Sequence, residues 1–127
     1  LELSDIVNWV TKFIGVKSAE SPLKESEFGS IIVDVRDLKD GVNDPNDLVK
    51  ALQRLFTVVA FARQYKSPVI IQCEAGLSRS TSLIAAIFVK ANDMEWEDAL
   101  EFVKKKVPEA QFNQDLIDCL KSVLETI

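Results

Sequence analysis

The stretch V-I-I-Q-C-E-A-G-L-S-R-S, Val69 to Ser80, constrains this chain more than any other. Val69, Ile70 and Ile71 follow Pro68 and read as a short buried strand. Cys73 comes next, then a loop containing Gly76, then Arg79. From Ser80 to Val89 the run is mostly apolar and reads as a helix. Strand, tight loop and helix in that order set the loop's N–H groups at a helix N-terminus, where orphan donors and the helix dipole stabilise an anion. A thiol at the start of such a loop has a lowered pKa and exists partly as thiolate. A guanidinium at its end holds two oxygens of a phosphate in a planar fork. The pattern offers a nucleophile and a cradle for an oxyanion.

The chain has 127 residues, which predicts one domain over 1–127 with a real core. No apolar run approaches the roughly 18 residues of a membrane span, and no signal peptide is visible. The first residue is Leu, not Met, so a removed targeting segment stays open. A net charge of −5 argues against binding nucleic acid or an anionic membrane through bulk charge. Cys73 and Cys119 do not make a disulfide framework, so a reducing, cytoplasmic setting is expected. Histidine is absent, which removes Ser-His-Asp and Cys-His mechanisms and, with only two thiols, an ordinary zinc site. No metal or cofactor is expected, and the expected state is a monomer.

Along the chain, Leu3, Ile6, Val7 and Val10 have helical spacing, whereas Trp9 to Ile14 also suits a strand. Ser21-Pro22 predicts a short helix ending near Phe28-Gly29. Ile31 to Val35 predicts a central strand, followed by an Asp-rich loop from Arg36 to Asn46. Asp44-Pro45 or Asn46 caps a long helix with Leu48, Leu52, Leu55, Phe56 and Val59 inward, ending around Tyr65. Strand, helix and strand imply a parallel pair with a right-handed crossover. That topology puts the Asp-rich loop and the Cys73 loop at one edge of the sheet, where ligands bind in open α/β folds. Asn92-Asp93 is a turn; Trp96, Ala99, Leu100 and Val103 mark another helix, closed by Pro108. Asn113 caps the last helix, with Leu116, Ile117, Leu120, Val123 and Leu124 inward. The fold class is α/β: a small, mostly parallel sheet flanked by helices, with the anion-binding loop between a strand and a helix.

C-x5-R-S is the signature of the cysteine-dependent phosphatases, and the chain resembles their dual-specificity branch. Ala99 to Pro108, followed by Asn113, is similar to the family's closing segment, and Asp40-Gly41 ahead of Pro45 is similar to its general-acid loop. The resemblance covers roughly positions 12 to 125 and favours a strand over Lys12 to Gly15. It implies the protein tyrosine phosphatase fold and hydrolysis of phosphoproteins at phosphotyrosine and phosphoserine or phosphothreonine, through a phospho-cysteine.

Cys73 is the candidate nucleophile; its alternative, a small buried hydrophobe, fits Cys119 in the last helix better. Arg79 is the candidate phosphate ligand. Glu74, Ala75, Gly76, Leu77 and Ser78 supply backbone N–H groups, with Glu74 and Leu77 also shaping the rim; a side chain at Gly76 would block the approach to phosphate. Ser80 caps the helix, and in the family the hydroxyl after the arginine helps the thiolate leave. Without histidine, the leaving oxygen needs a carboxylic acid from Asp37, Asp40 or Asp44. Asp40 lies 33 positions before Cys73 (73 − 40), a spacing similar to the family's, and Asp37 at the strand end is the alternative. Gln72 stands where the family usually has histidine. Two rival readings remain: a phosphatase fold that binds phosphoproteins without turnover, and a sulfurtransferase suggested by Asp34-Val35-Arg36.

Overall fold

A computed structural model describes residues 7–74 and 77–127. Its sheet has the strand order β1 (Asn8–Trp9), β2 (Ile14–Ser18), β4 (Val69–Cys73), β3 (Ile31–Asp34). β2 and β3 both run parallel to β4, and β1 is an antiparallel edge. The apolar runs on β3 and β4 are where the sequence places them. β2 starts two residues later than Lys12 and extends to Ser18, because Thr11 Oγ1 accepts from the N–H groups of Phe13 and Ile14 and holds the preceding residues in a turn. Gly15 admits Val7 and Trp9 against the sheet: a Cβ there would come within 2.9 Å of Val7 Cγ1 and Trp9 Cε3.

Between β2 and β3 the helix expected from Ser21 does not form. A single 3-10 turn, Glu25–Glu27, takes its place, starting from Lys24 rather than Ser21. Lys17 removes the Ser21 carbonyl from any helix, since its Nζ donates to that oxygen at 2.8 Å and to Ser18 O at 3.0 Å. Gly29 then takes φ +94, a left-handed conformation that costs glycine little, and leads into β3.

Helix α1 (Pro45–Tyr65) opens on Asp44, whose carboxylate accepts from Asn46 N at 2.8 Å, with Pro45 at the first position. It ends at Lys66 in a left-handed cap, one residue before Ser67-Pro68. Leu48, Leu52 and Leu55 are wholly buried, each stabilising the fold by about 1.5–3 kcal/mol; Phe56 and Val59 are half-buried. Helices α2 (Arg79–Ala91), α3 (Trp96–Lys106) and α4 (Gln114–Leu124) complete the layer. Every residue of α2 from Ser80 to Phe88 is buried, so this helix is the centre of the core. Asn113 caps α4, and Leu116, Ile117, Leu120, Val123 and Leu124 are inward. Cys119 is half-buried at the core's edge rather than inside it. No helix among the described residues is long and apolar enough to cross a membrane.

The two sheet faces differ at their carboxyl end. Ile14, Val16, Val33, Val69, Ile71 and Cys73 join the helical core on one face. On the other, the register aligns Lys17, Gln72 and Asp34 in one polar row across three strands.

Candidate active site

Cys73 is the last residue of β4 and is only 2% exposed, yet it lines a cleft of about 600 Å³. Its carbonyl accepts from Ala19 N at 2.8 Å, and the Glu74 carbonyl accepts from Ser18 Oγ at 2.7 Å. Because a trans peptide points its C=O and N–H in opposite directions, fixing the Cys73 carbonyl toward β2 turns the Glu74 N–H away from that strand. The far end of the loop is held as firmly. Leu77 O accepts from Gln111 N at 2.7 Å and from Thr81 Oγ1 at 2.9 Å. Ala75 and Gly76 lie outside the described residues.

Arg79 opens α2 with its side chain mostly buried, 14% exposed. Nη1 donates to Arg36 O at 3.1 Å and Leu38 O at 2.8 Å, and Nη2 lies 3.7 Å from Glu74 Oε2. Glu74 itself is exposed at the rim. The guanidinium is thus aimed by main-chain carbonyls of the segment after β3. Ser80 lies inside α2 and does not cap it, since the helix already starts at Arg79; its Oγ is wholly buried and has no hydrogen-bond partner among the described residues.

The three candidate acids occupy different places. Asp40 lines the cleft with Cys73 and Arg79. Its Oδ1 accepts from Ser78 Oγ, and its carbonyl accepts from Asn113 Nδ2 at 2.9 Å. Asp37 sits in a separate depression beside Asp47, Lys50 and Arg54, and Asp44 is committed to capping α1. The loop carrying Asp40 is shaped by buried Asn43, whose carboxamide bonds Lys39 N, Lys39 O and Gly41 O. Leu77, Gln111 and Phe112 also line the cleft.

The model of the dual specificity phosphatase catalytic domain matches residues 7–124. The chain belongs to this family. This dual specificity phosphatase domain is 34% identical over 68 residues to the human protein "Dual specificity protein phosphatase 12", covering 54% of the chain and 20% of that protein. The chain spans less than half the length of the relatives it matches first. Among solved structures it is similar to human DUSP28, with TM-score 0.78, 19% identity and 94% of each chain covered. It is also similar to the human tyrosine phosphatase-like serine/threonine/tyrosine-interacting protein, with TM-score 0.75, 14% identity and 94% and 96% covered. At these identities the structural likenesses speak for the fold.

Within this domain, several residues around the cleft carry no sequence signal of their own. Asn43 reads as one more polar loop residue, and Asn113 reads as a helix cap in the segment similar to the family's, with nothing to mark that it also reaches Asp40. Gln111 and Phe112 precede that cap without a motif. Gln72, at the family's histidine position, donates from Nε2 to Asp34 Oδ2 at 3.0 Å. Asp34 is held well below the usual carboxylate range, first by hydrogen bonds from Arg36. Lys17, at the other end of the row, is lowered by burial, an effect that Asp34 partly offsets. Among the described residues no group of three or more His, Cys, Asp or Glu gathers as a metal site.

Proposed function

We propose that this domain hydrolyses phosphomonoesters on proteins, at phosphotyrosine and at phosphoserine or phosphothreonine, through a phospho-cysteine. The observation that carries the reading is the meeting of Cys73, Arg79 and Asp40 in one cleft where β4 hands over to α2. The Cys73 thiolate attacks phosphorus, and the bond to the leaving oxygen breaks. Asp40 gives that oxygen a proton. Water then attacks the thiophosphate, passes a proton back to Asp40, and releases inorganic phosphate and the thiolate. Arg79 and the amides of Glu74, Ala75, Gly76, Leu77 and Ser78 hold the equatorial oxygens throughout. The Ser80 hydroxyl, buried without a partner among the described residues, is the donor for the departing thiolate. No step calls for a metal or cofactor, and the domain acts as a cytoplasmic monomer.

The second reading, a phosphoprotein-binding module without turnover, is favoured by Gln72, which stands where the family usually has histidine. Turnover of p-nitrophenyl phosphate separates the two. The expected result is turnover by the native domain, abolished in Cys73→Ser and reduced about 10²- to 10⁴-fold in Asp40→Asn. Phosphate binding without turnover would select the second reading.

A further inference from the structure

The side chain that grips phosphate does not orient itself. Arg79 Nη1 is aimed by two carbonyls, those of Arg36 and Leu38, and both belong to the non-regular segment that follows β3. What holds that segment is the carboxylate of Asp34. It accepts from Arg36 N at 2.9 Å, from Arg36 Nε at 3.0 and 2.9 Å on its two oxygens, and from Arg36 Nη2 at 2.7 Å. Arg36 is therefore folded back on Asp34 by its backbone and its guanidinium together, which fixes where its own carbonyl points. The same carboxylate accepts from Gln72 Nε2, and Gln72 is bonded by chain to Cys73. Val35 N donates to Gln72 O at 2.9 Å, so strand and segment are tied by backbone as well.

We propose that Asp34 is a positioning residue for Arg79: its carboxylate couples the strand bearing the nucleophile, through Gln72, to the carbonyl of Arg36 that orients the guanidinium. The inference rests on the reading of Arg79 as phosphate ligand. Gln72 suits the role because it donates to a carboxylate without needing a charge of its own. An aspartate satisfies all its donors here at once, since Arg36 and Gln72 share its two oxygens. Asparagine cannot, because its amide nitrogen would face the guanidinium or the Gln72 amide as donor against donor. Lys17, third in the row, supplies compensating positive charge to the same carboxylate.

The test measures the affinity of inorganic phosphate by calorimetry, and its inhibition of p-nitrophenyl phosphate turnover. Asp34→Asn is expected to weaken phosphate about tenfold and raise KM more than it lowers kcat, since misplaced positioning groups commonly cost one to two orders of magnitude. In an Arg79→Lys background the same substitution should add little, because both changes then act on one interaction. Arg36→Ala is the second variant. It removes an exposed side chain, costs no core packing, and should weaken phosphate in the same direction. An equal loss of phosphate affinity from Asp34→Asn with and without native Arg79 would overturn the proposal, as would unchanged affinity in both Asp34→Asn and Arg36→Ala. If the native domain bound phosphate but turned nothing over, the catalytic reading would fall while this test still decided the role of Asp34.

Discussion

Asn43 is buried in a segment without regular structure, and its carboxamide gives that segment its shape. Oδ1 accepts from Lys39 N at 2.9 Å, while Nδ2 donates to Lys39 O at 2.8 Å and Gly41 O at 3.0 Å. The three bonds close a ring around Asp40, and Asn43→Ala deletes them together. Each is worth about 0.5–1.5 kcal/mol net, so the combined loss is about 1.5–4.5 kcal/mol. At 1.36 kcal/mol per factor of ten, that caps the fall in kcat at about 10- to 2000-fold if all of it appears as misplacement of Asp40. Asn43→Asp should be worse than Asn43→Ala despite its matching shape, because a carboxylate would face the carbonyls of Lys39 and Gly41. The assay is steady-state turnover of an aryl phosphate with a good leaving group beside an alkyl phosphate with a poor one. Loss of proton delivery should fall mainly on the alkyl ester, and phosphate inhibition should hold, since Arg79 is oriented from Arg36 and Leu38 outside the ring. Equal losses on both esters, or full activity in Asn43→Asp, would refute the reasoning.

Ser80 and Ser82 both bury hydroxyls without partners among the described residues. Ser82→Ala should raise stability by about 1 kcal/mol in urea unfolding at unchanged kcat, whereas Ser80→Ala should leave the fold at least as stable and slow thiophosphate hydrolysis, seen as a larger burst. Asn113 accepts from Asp115 N and Leu116 N as the cap of α4 and donates to Asp40 O. Asn113→Ala should cost about 1 kcal/mol of stability and lower kcat on the alkyl ester, an effect that a lost cap alone would not produce. The Asp34 carboxyl, lowered by its Arg36 partner, favours the fold in full above its unfolded pKa of about 3.9 and loses that contribution as pH falls through the lowered folded value. Asp34→Asn should therefore flatten the decline of stability below about pH 4 in urea titrations. Identical slopes in the two proteins would count against it.

How far the fold could be read from residues follows from how local each signal is. α1 was legible at both ends and α4 at its start because a capping side chain and an apolar stripe agree, as Asp44 and Asn113 show. β4 and the start of α2 were legible for the same reason, an apolar run changing period across a short loop. Ser21-Pro22 misled because its cap signal is local while the Lys17 ammonium that claims the Ser21 carbonyl comes from a neighbouring strand. Among the acids, spacing and the resemblance favoured Asp40, but only the path of the loop separates it from Asp37 in the neighbouring depression. Asn43 and Asp34 were illegible as site residues because their effect passes through other groups' carbonyls, and nothing in composition or periodicity marks such a relay.

The cleft is braced from segments remote in sequence: Ser18 reaches Glu74, Asn113 reaches Asp40, and Gln111 reaches Leu77. Such wide loops close late, because their entropy must be overcome before any contact rewards them. Turnover should accordingly return in refolding only with the final cooperative step, and any fragment lacking either Ser18 or the residues from Gln111 to Asn113 should be inert however well its helices form.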